Sequence, residues 1–414
     1  MKSANGTCRT GGDTTKRYDV CIVGAGPVGT YLTVMLAHAG LNVIAVDSLV
    51  KLADEPRAFT HMPFMFKEFE KAGILEQMRE LSKFRGDAIS YRRTKDQQVI
   101  ERLAPIPNRP LPLAVPQRNL TELLIDKLNE FPNGELRFGH RVVNVEQKSD
   151  DISVTLEVVQ TNETSTLQCK YLVGADGAKS TIRKFMGIRY EGTTLPFKLI
   201  AADVVFPFEK YGFNGANFML DPENFGMIAL TSENERKETI WRVSIGFPIE
   251  SSDDEIVKAL PDKFQRLLED LKPGQYTLLK AQPYEAHQFC TPTMKKGRTM
   301  LIGDSAHLCN PYSGQLLACG IFDASSLSQC LVSVIQHGAP ESLLDEWNED
   351  RVSKFKDVLD PFSKECFAAT RDPDADTIAE RHPFLKAMKA GPKGQLPTIH
   401  TDVTKLKSWR SGPN

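Results

Sequence analysis

The chain has 414 residues, a hydrophobic content of 41%, and a formal charge of −2 from 51 basic and 53 acidic side chains. That length holds two or three lobes around one or two cores, and the composition is that of an ordinary globular chain rather than a disordered one. A charge so near zero leaves no global field to draw in nucleic acid or an anionic membrane, so any recognition must be local.

Residues 1–17 read as a polar tail without the apolar run of a signal peptide. The eight cysteines include no C-x-x-C pair and show no metal-ligand spacing, so no metal is expected and a reducing, cytoplasmic setting fits. The first element is a β-branched run, Tyr18 to Val23, followed by GAGPVG at Gly24 to Gly29 and helical spacing from Val28 to Ala39. Leu41 to Val46 forms a second strand, closed by Asp47 roughly 20 residues beyond the turn, where an acid can bond a ribose hydroxyl. In this βαβ unit Gly24 permits the turn, Gly26 lets backbone N–H groups approach a pyrophosphate, and Gly29 lets helix and strand pack. Pro27 and Val28 open the helix, whose N-terminus favours an anion. A glycine turn with no ligand is the alternative.

Phe64 to Leu81 is helical in pattern, Ala88 to Val99 alternates like a strand, and a proline-rich loop spans Pro105 to Pro116. An amphipathic helix covers Asn119 to Asn129, and strands follow at Leu136–Val145, Ile152–Val159 and Ser165–Val173. The last of these enters YLVGADGAKSTIR, Tyr171 to Arg183, where Asp176 and Gly177 lie at the carboxyl end of a strand. Ligands of open α/β sheets sit at such ends, although an acid before a helix can equally be its cap. The same grammar recurs in GRTMLIGDSAHLCNPYSGQ, Gly297 to Gln315, with Gly303 and Asp304 at the strand end, Pro311 and Gly314 in a turn, and a long helix after them. The apolar stretch Leu316 to Ile335 contains Asp323, four serines and Gln329, which suits a buried helix and not a membrane span.

Between the second and third motifs, strand-like segments at Leu199–Phe206, Phe218–Leu220, Gly226–Thr231 and Thr239–Phe247, with a helix over Asp253–Asp270, form a separate lobe. Alternation puts Met227, Ala229 and Thr231 on one face with Trp241 nearby, either as a pocket lining or, for the tryptophan, as a core aromatic. The organisation expected is residues 18–193 as a nucleotide-binding domain with an excursion at about 84–112, 194–284 as a substrate domain, 285–363 as the return, and 364–414 as a C-terminal helix and tail.

These three motifs in order, from about Tyr18 to Ser363, resemble the group A FAD-dependent monooxygenases, the para-hydroxybenzoate hydroxylase-like family of aromatic-ring hydroxylases. The resemblance implies an α/β fold: a Rossmann-like FAD-binding domain, an inserted mixed β-sheet substrate domain and a C-terminal helical segment. It implies that GAGPVG holds the FAD pyrophosphate and that Asp47, in place of the usual glutamate, meets the adenosine ribose. Arg57 would run close to the flavin, Arg118 would reach the ribityl and phosphate region, and Asp304 would lie on the ribityl chain; for each arginine a surface salt bridge is the alternative. Pro311 and Gly314, with backbone N–H groups of Leu317 and Ala318, would line the reactive face. There the chain departs from the family's G-Q-G-x-N: a glycine is replaced by Leu316 and the asparagine by Ala318. A leucine cannot take positive φ without strain, so weakened FAD binding is an expectation.

The activity implied is insertion of one oxygen from dioxygen, through a flavin hydroperoxide, into an apolar aromatic, phenolic or polycyclic small molecule by hydroxylation or epoxidation, in secondary metabolism or detoxification. NADPH or NADH serves as transient co-substrate, since no second glycine fingerprint is present. Baeyer–Villiger oxygenation, a flavin reductase or dehydrogenase, and a non-catalytic FAD-binding protein are the competing readings. The sequence singles out no catalytic base; His61, His287 and His307 read as structural, and either a monomer or a homodimer is compatible.

Overall fold

A computed structural model describes residues 16–52, 60–82, 89–103, 110–389 and 399–411. Five parallel strands form the centre of the first sheet, in the order Thr299–Leu301, Thr164–Gly174, Arg17–Val23, Val43–Val46 and Gly134–Arg137. The strand Arg17–Val23 thus has a neighbour about 150 residues away on one side and its βαβ partner on the other, the crossover arrangement that creates a ligand crevice at the strands' carboxyl ends. Helix Pro27–His38, helix Gln117–Leu128 and helix Leu316–His337 cover this sheet and share its main core.

Helix Leu316–His337 is long and apolar enough to cross a membrane, yet 78% of its most apolar window is buried inside the protein. An acid, serines and a glutamine are tolerated along it because their polar atoms find partners in the protein interior.

The second sheet has eight strands, with the long antiparallel strands Glu191–Val205, Thr239–Pro248 and Gly226–Glu233 at its centre. Ile89–Arg93 joins it in parallel beside Ala216–Leu220, and Val99–Leu103 adds the far edge. The single strand expected over Ala88–Val99 is thus a hairpin, turned at Gln97 with φ of 62°. One face of this sheet packs on helix Asp253–Leu267, which presents Ile256, Leu260, Phe264 and Leu267 after a Ser252–Glu255 capping box. Helices of the C-terminal region, Asp360–Thr370 and Pro383–Lys389, lie against the other face through Phe362, Phe367 and Phe384. Helix Phe64–Leu81 of the sequence pattern is two short helices, Phe66–Lys71 and Leu75–Leu81, because Gly73 takes φ of 70° between them.

Candidate functional site

The three glycine-containing motifs meet at the carboxyl ends of their parallel strands. Gly24 has φ of 107°, and a Cβ there would lie 2.3 Å from the carbonyl oxygen of Ala175, so only glycine lets the first turn rest on the second motif. A Cβ at Gly29 would lie 2.0 Å from the Gly24 oxygen and 3.1 Å from the Ala175 Cβ. Val28 packs against the third motif and the helix after it: a Cβ on Gly303 would meet its Cγ2 at 3.3 Å, and one on Gly320 at 2.8 Å. Gly26 is different, since a Cβ there would meet no described residue within 4 Å. It caps helix Pro27–His38 with no side-chain hydrogen bond, and Pro27 is the buried first residue.

The acids at the strand ends are engaged with backbone. Asp47 accepts from Ala25 N at 2.7 Å and from Leu49 N at 2.8 Å, so it shapes the glycine loop directly. Asp176 accepts from Ser180 Oγ at 2.5 Å, Thr181 N at 2.6 Å and Ile182 N at 3.2 Å. It therefore ties down the start of helix Thr181–Phe185, and burial raises its carboxyl above the usual range despite those bonds. Gly177 beside it has φ of 77° and open space around its Cβ position.

Asp304 is half-buried on the turn Gly303–Ser305, and its carbonyl accepts from Tyr190 Oη. Three contacts absent from the sequence reading lock the second motif to the third. Arg183 donates to Ser305 O at 3.0 Å and stacks 3.7 Å from the Tyr190 ring centroid, while Ser305 Oγ donates to Gly174 O at 2.6 Å. The signal for Arg183 was its place at the end of its own motif; Tyr190, outside any motif, carried none.

The turn Pro311–Gln315 is poor in partners. Among the described residues, the buried Oη of Tyr312, Oγ of Ser313 and Nε2 of Gln315 have no hydrogen-bond partner, and a Cβ on Gly314 would meet nothing within 4 Å. Pro311 and Gly314 are exposed, Leu316 and Leu317 half-buried, and Ala318 buried in the main core. The strain expected at Leu316 is absent. Gly314 takes the left-handed turn with φ of 64°, and Leu316 is already the first residue of the helix. Orphaned donors beside open glycines, at a helix N-terminus whose first N–H groups lack a side-chain cap, fit a large, flat, polar ligand with anionic groups.

Arg118 is on helix Gln117–Leu128, half-exposed, with Nε 2.9 Å from Glu122 Oε1, the surface pairing. Arg57 lies outside the described residues. In the second sheet the candidates divide between two faces. Met227 and Ala229 pack with Ala216 against Ala114, whereas Trp241 pairs across from Leu230 and is buried with Phe208, Val243 and Ile228 on the helix-covered side. Trp241 there lines a cavity of about 280 Å³ with Phe213 and Leu230. The expectation that it neighbours Met227 and Ala229 is corrected by register: it stands opposite Leu230, and successive residues of a strand face opposite ways. Thr231 falls at an irregularity between Leu230 and Ser232 and donates to Ile240 O at 2.9 Å. Opposite Ala229 stands Arg242, which the sequence reading passed over; its Nε is 2.7 Å from Asp203 Oδ1, both side chains largely buried.

Known proteins share this arrangement. The model of the FAD binding domain family matches residues 17–361. Over 374 residues the chain is 32% identical to the para-nitrophenol 4-monooxygenase of Pseudomonas sp. (strain WBC-3), covering 89% of this chain and 91% of that protein. It is 31% identical over 353 residues to the 6-hydroxy-3-succinoylpyridine 3-monooxygenase of Pseudomonas putida (strain DSM 28022 / S16), with 83% and 86% covered. Among solved structures, the p-nitrophenol 4-monooxygenase of Pseudomonas putida DLL-E4 superimposes with a TM-score of 0.81 at 28% identity, covering 92% of this chain and 95% of that one. The chain belongs to the FAD binding domain family and is an FAD-dependent monooxygenase of the aromatic-hydroxylase type.

Proposed function

We propose that this protein uses NAD(P)H and FAD to place one atom of dioxygen on a single hydroxyl-bearing aromatic ring, at the carbon para to the hydroxyl. The observation that carries the cofactor assignment is the meeting of Gly24, Ala175, Val28 and Gly303 at the ends of three parallel strands. In this reading the Gly24–Gly29 loop and the N-terminus of helix Pro27–His38 hold the pyrophosphate. Asp47, already fixed by Ala25 N, keeps lone pairs for a ribose hydroxyl. Gly177, Gly303 and Asp304 flank the ribityl chain, and the Pro311–Ala318 segment lies along the ring. FAD supplies the redox and oxygen-activating chemistry, while the protein binds, orients and excludes water.

The substrate choice rests on the relatives. The names of both put oxygenation at a substituted ring position para to a hydroxyl, in a nitrophenol and in a hydroxypyridine. A hydroxyl there activates the para carbon, more so as the phenolate. In this chain the sheet face bearing Met227, Ala229 and Ser244 offers a mostly apolar wall, and the Asp203–Arg242 pair gives it one polar anchor.

The test is purified protein incubated with NADPH or NADH, labelled dioxygen and a panel of para-substituted phenols and hydroxypyridines. Substrate-stimulated oxidation of the nicotinamide with one labelled oxygen in a ring product is expected. Oxidation that yields only hydrogen peroxide across the whole panel would leave a reductase as the better reading.

A further inference from the structure

Behind the proposed cofactor segments lies a cluster of ionisable side chains without any solvent exposure. Asp323, on helix Leu316–His337, accepts from His307 Nε2 at 2.7 Å and from Gly303 N at 2.9 Å through one oxygen, and from Arg351 Nε at 2.6 Å through the other. Arg351 comes from helix Ser342–Ser353. Its remaining donors reach Cys319 O and Cys319 Sγ, each at 3.3 Å, and, from the C-terminal segment, Ile399 O at 2.5 Å and Thr401 Oγ1 at 3.1 Å. Burial alone would raise the Asp323 carboxyl, but the facing His307 and Arg351 hold it below its ordinary range.

Two simpler explanations fail on these contacts. Donor atoms of His307, Cys319 and Asp323 lie within 4.8 Å of one another, as a metal would need, but the guanidinium already bonds both Asp323 and the Cys319 sulfur, so the cationic place is taken. Stability alone is also a weak reason, since desolvating an ion pair costs about what the pairing returns, and apolar replacements of similar volume are often as stable. What the cluster does is fix geometry. Its carboxylate pins the N–H of Gly303, at φ of 59°, and its guanidinium grips a carbonyl in the first turn of the helix that begins at Leu316.

We propose that Arg351, acting through Asp323, is a positioning residue for the flavin, and that the segment Ile399–Thr401 completes the cofactor site by closing over that arginine. This rests on the assignment of Gly303–Asp304 and Leu316–Ala318 to FAD. One guanidinium then sets the distance between the two segments that approach the ribityl chain and the ring.

The experiment compares Arg351→Lys, which keeps the charge but loses the fork, and Arg351→Met with Leu343→Ala, which removes a buried side chain from the same helix without touching the cluster. FAD dissociation constant, visible spectrum and midpoint potential of the bound flavin, and melting temperature of the apoprotein are measured. Both arginine variants are expected to weaken FAD binding by about 10- to 100-fold and to shift the flavin spectrum and potential, while Leu343→Ala lowers the melting temperature alone. Arginine variants that lose thermal stability like Leu343→Ala but bind FAD within twofold, with an unchanged spectrum and potential, would overturn the proposal. Should Arg351→Met not fold, Thr401→Val decides, because it removes one contact to the guanidinium; an unchanged flavin potential and affinity there would also refute the role of the C-terminal segment. Wild-type protein that takes up no FAD at all would sink the cofactor assignment itself, and this proposal with it.

Discussion

Gly26 and Gly29 occupy one motif three residues apart, yet the structure asks opposite things of them. A Cβ on Gly29 would run into backbone at 2.0 Å, which cannot yield as a flexible side chain does, whereas a Cβ on Gly26 would enter open space. Gly29→Ala should therefore cost the apoprotein about 1–3 kcal/mol through overpacking. Gly26→Ala should leave the apoprotein within ~1 kcal/mol of wild type and weaken FAD binding if this loop holds the pyrophosphate as proposed. Chemical denaturation of the apoproteins beside FAD titration separates the two, and a Gly26→Ala variant with wild-type FAD affinity would count against the loop as a phosphate cradle. Spacing made the glycines legible as a set. It could not tell packing from ligand contact, because that depends on Ala175 and Val28 arriving from elsewhere. The same limit applies to Asp176: spacing put an acid at a strand end, but could not show that Ser180, Thr181 and Ile182 bond its oxygens.

Helix Leu316–His337 shows the matching limit for an element. Its existence and buried character follow from its apolar content, but where the left-handed residue falls is decided by one position. Because Gly314 supplies the turn and Leu316 begins the helix, replacing the leucine relieves no strain. Leu316→Gly is expected to leave FAD affinity within about threefold and to cost on the order of 1 kcal/mol, from added backbone freedom and lost apolar contact. A tenfold gain in FAD affinity, measured by titration of the apoprotein, would show instead that the leucine obstructs the ring. The second sheet was less readable than the first. Alternation found its strands, but the pairing of Leu230 with Trp241, the irregularity before Ser232 and the entry of Ile89–Arg93 from a distant segment are set by register and non-local pairing. Trp241 consequently lies across the sheet from the face on which the pattern had placed it.

Across the whole molecule, two buried histidines predict how the fold meets acid. His61 is fully buried beside Phe69 with Nε2 2.9 Å from Val115 O and Nδ1 without a partner among the described residues; His382 is fully buried against Tyr91, and neither ring nitrogen has a partner among them. Desolvation lowers both to about 4 from the ordinary 6.5. In the unfolded chain each takes a proton as pH falls through 6.5, while the folded protein keeps them neutral until about 4. The stability they contribute is thus present above pH 6.5 and lost between 6.5 and 4, by on the order of 3 kcal/mol for each. Glu135, held at about 2 by Lys16, Tyr18 and Arg137 against the opposing effect of burial, loses its contribution in a lower window, below 4.5, so the histidine loss comes first. His382→Leu should be close to neutral at pH 7.5, since it removes no hydrogen bond, and should flatten the decline between pH 6.5 and 5. Denaturant midpoints at pH 7.5, 6.0 and 5.0 for wild type and this variant measure the difference. Parallel pH profiles for the two proteins would show that His382 is already protonated, or solvated, in the folded state.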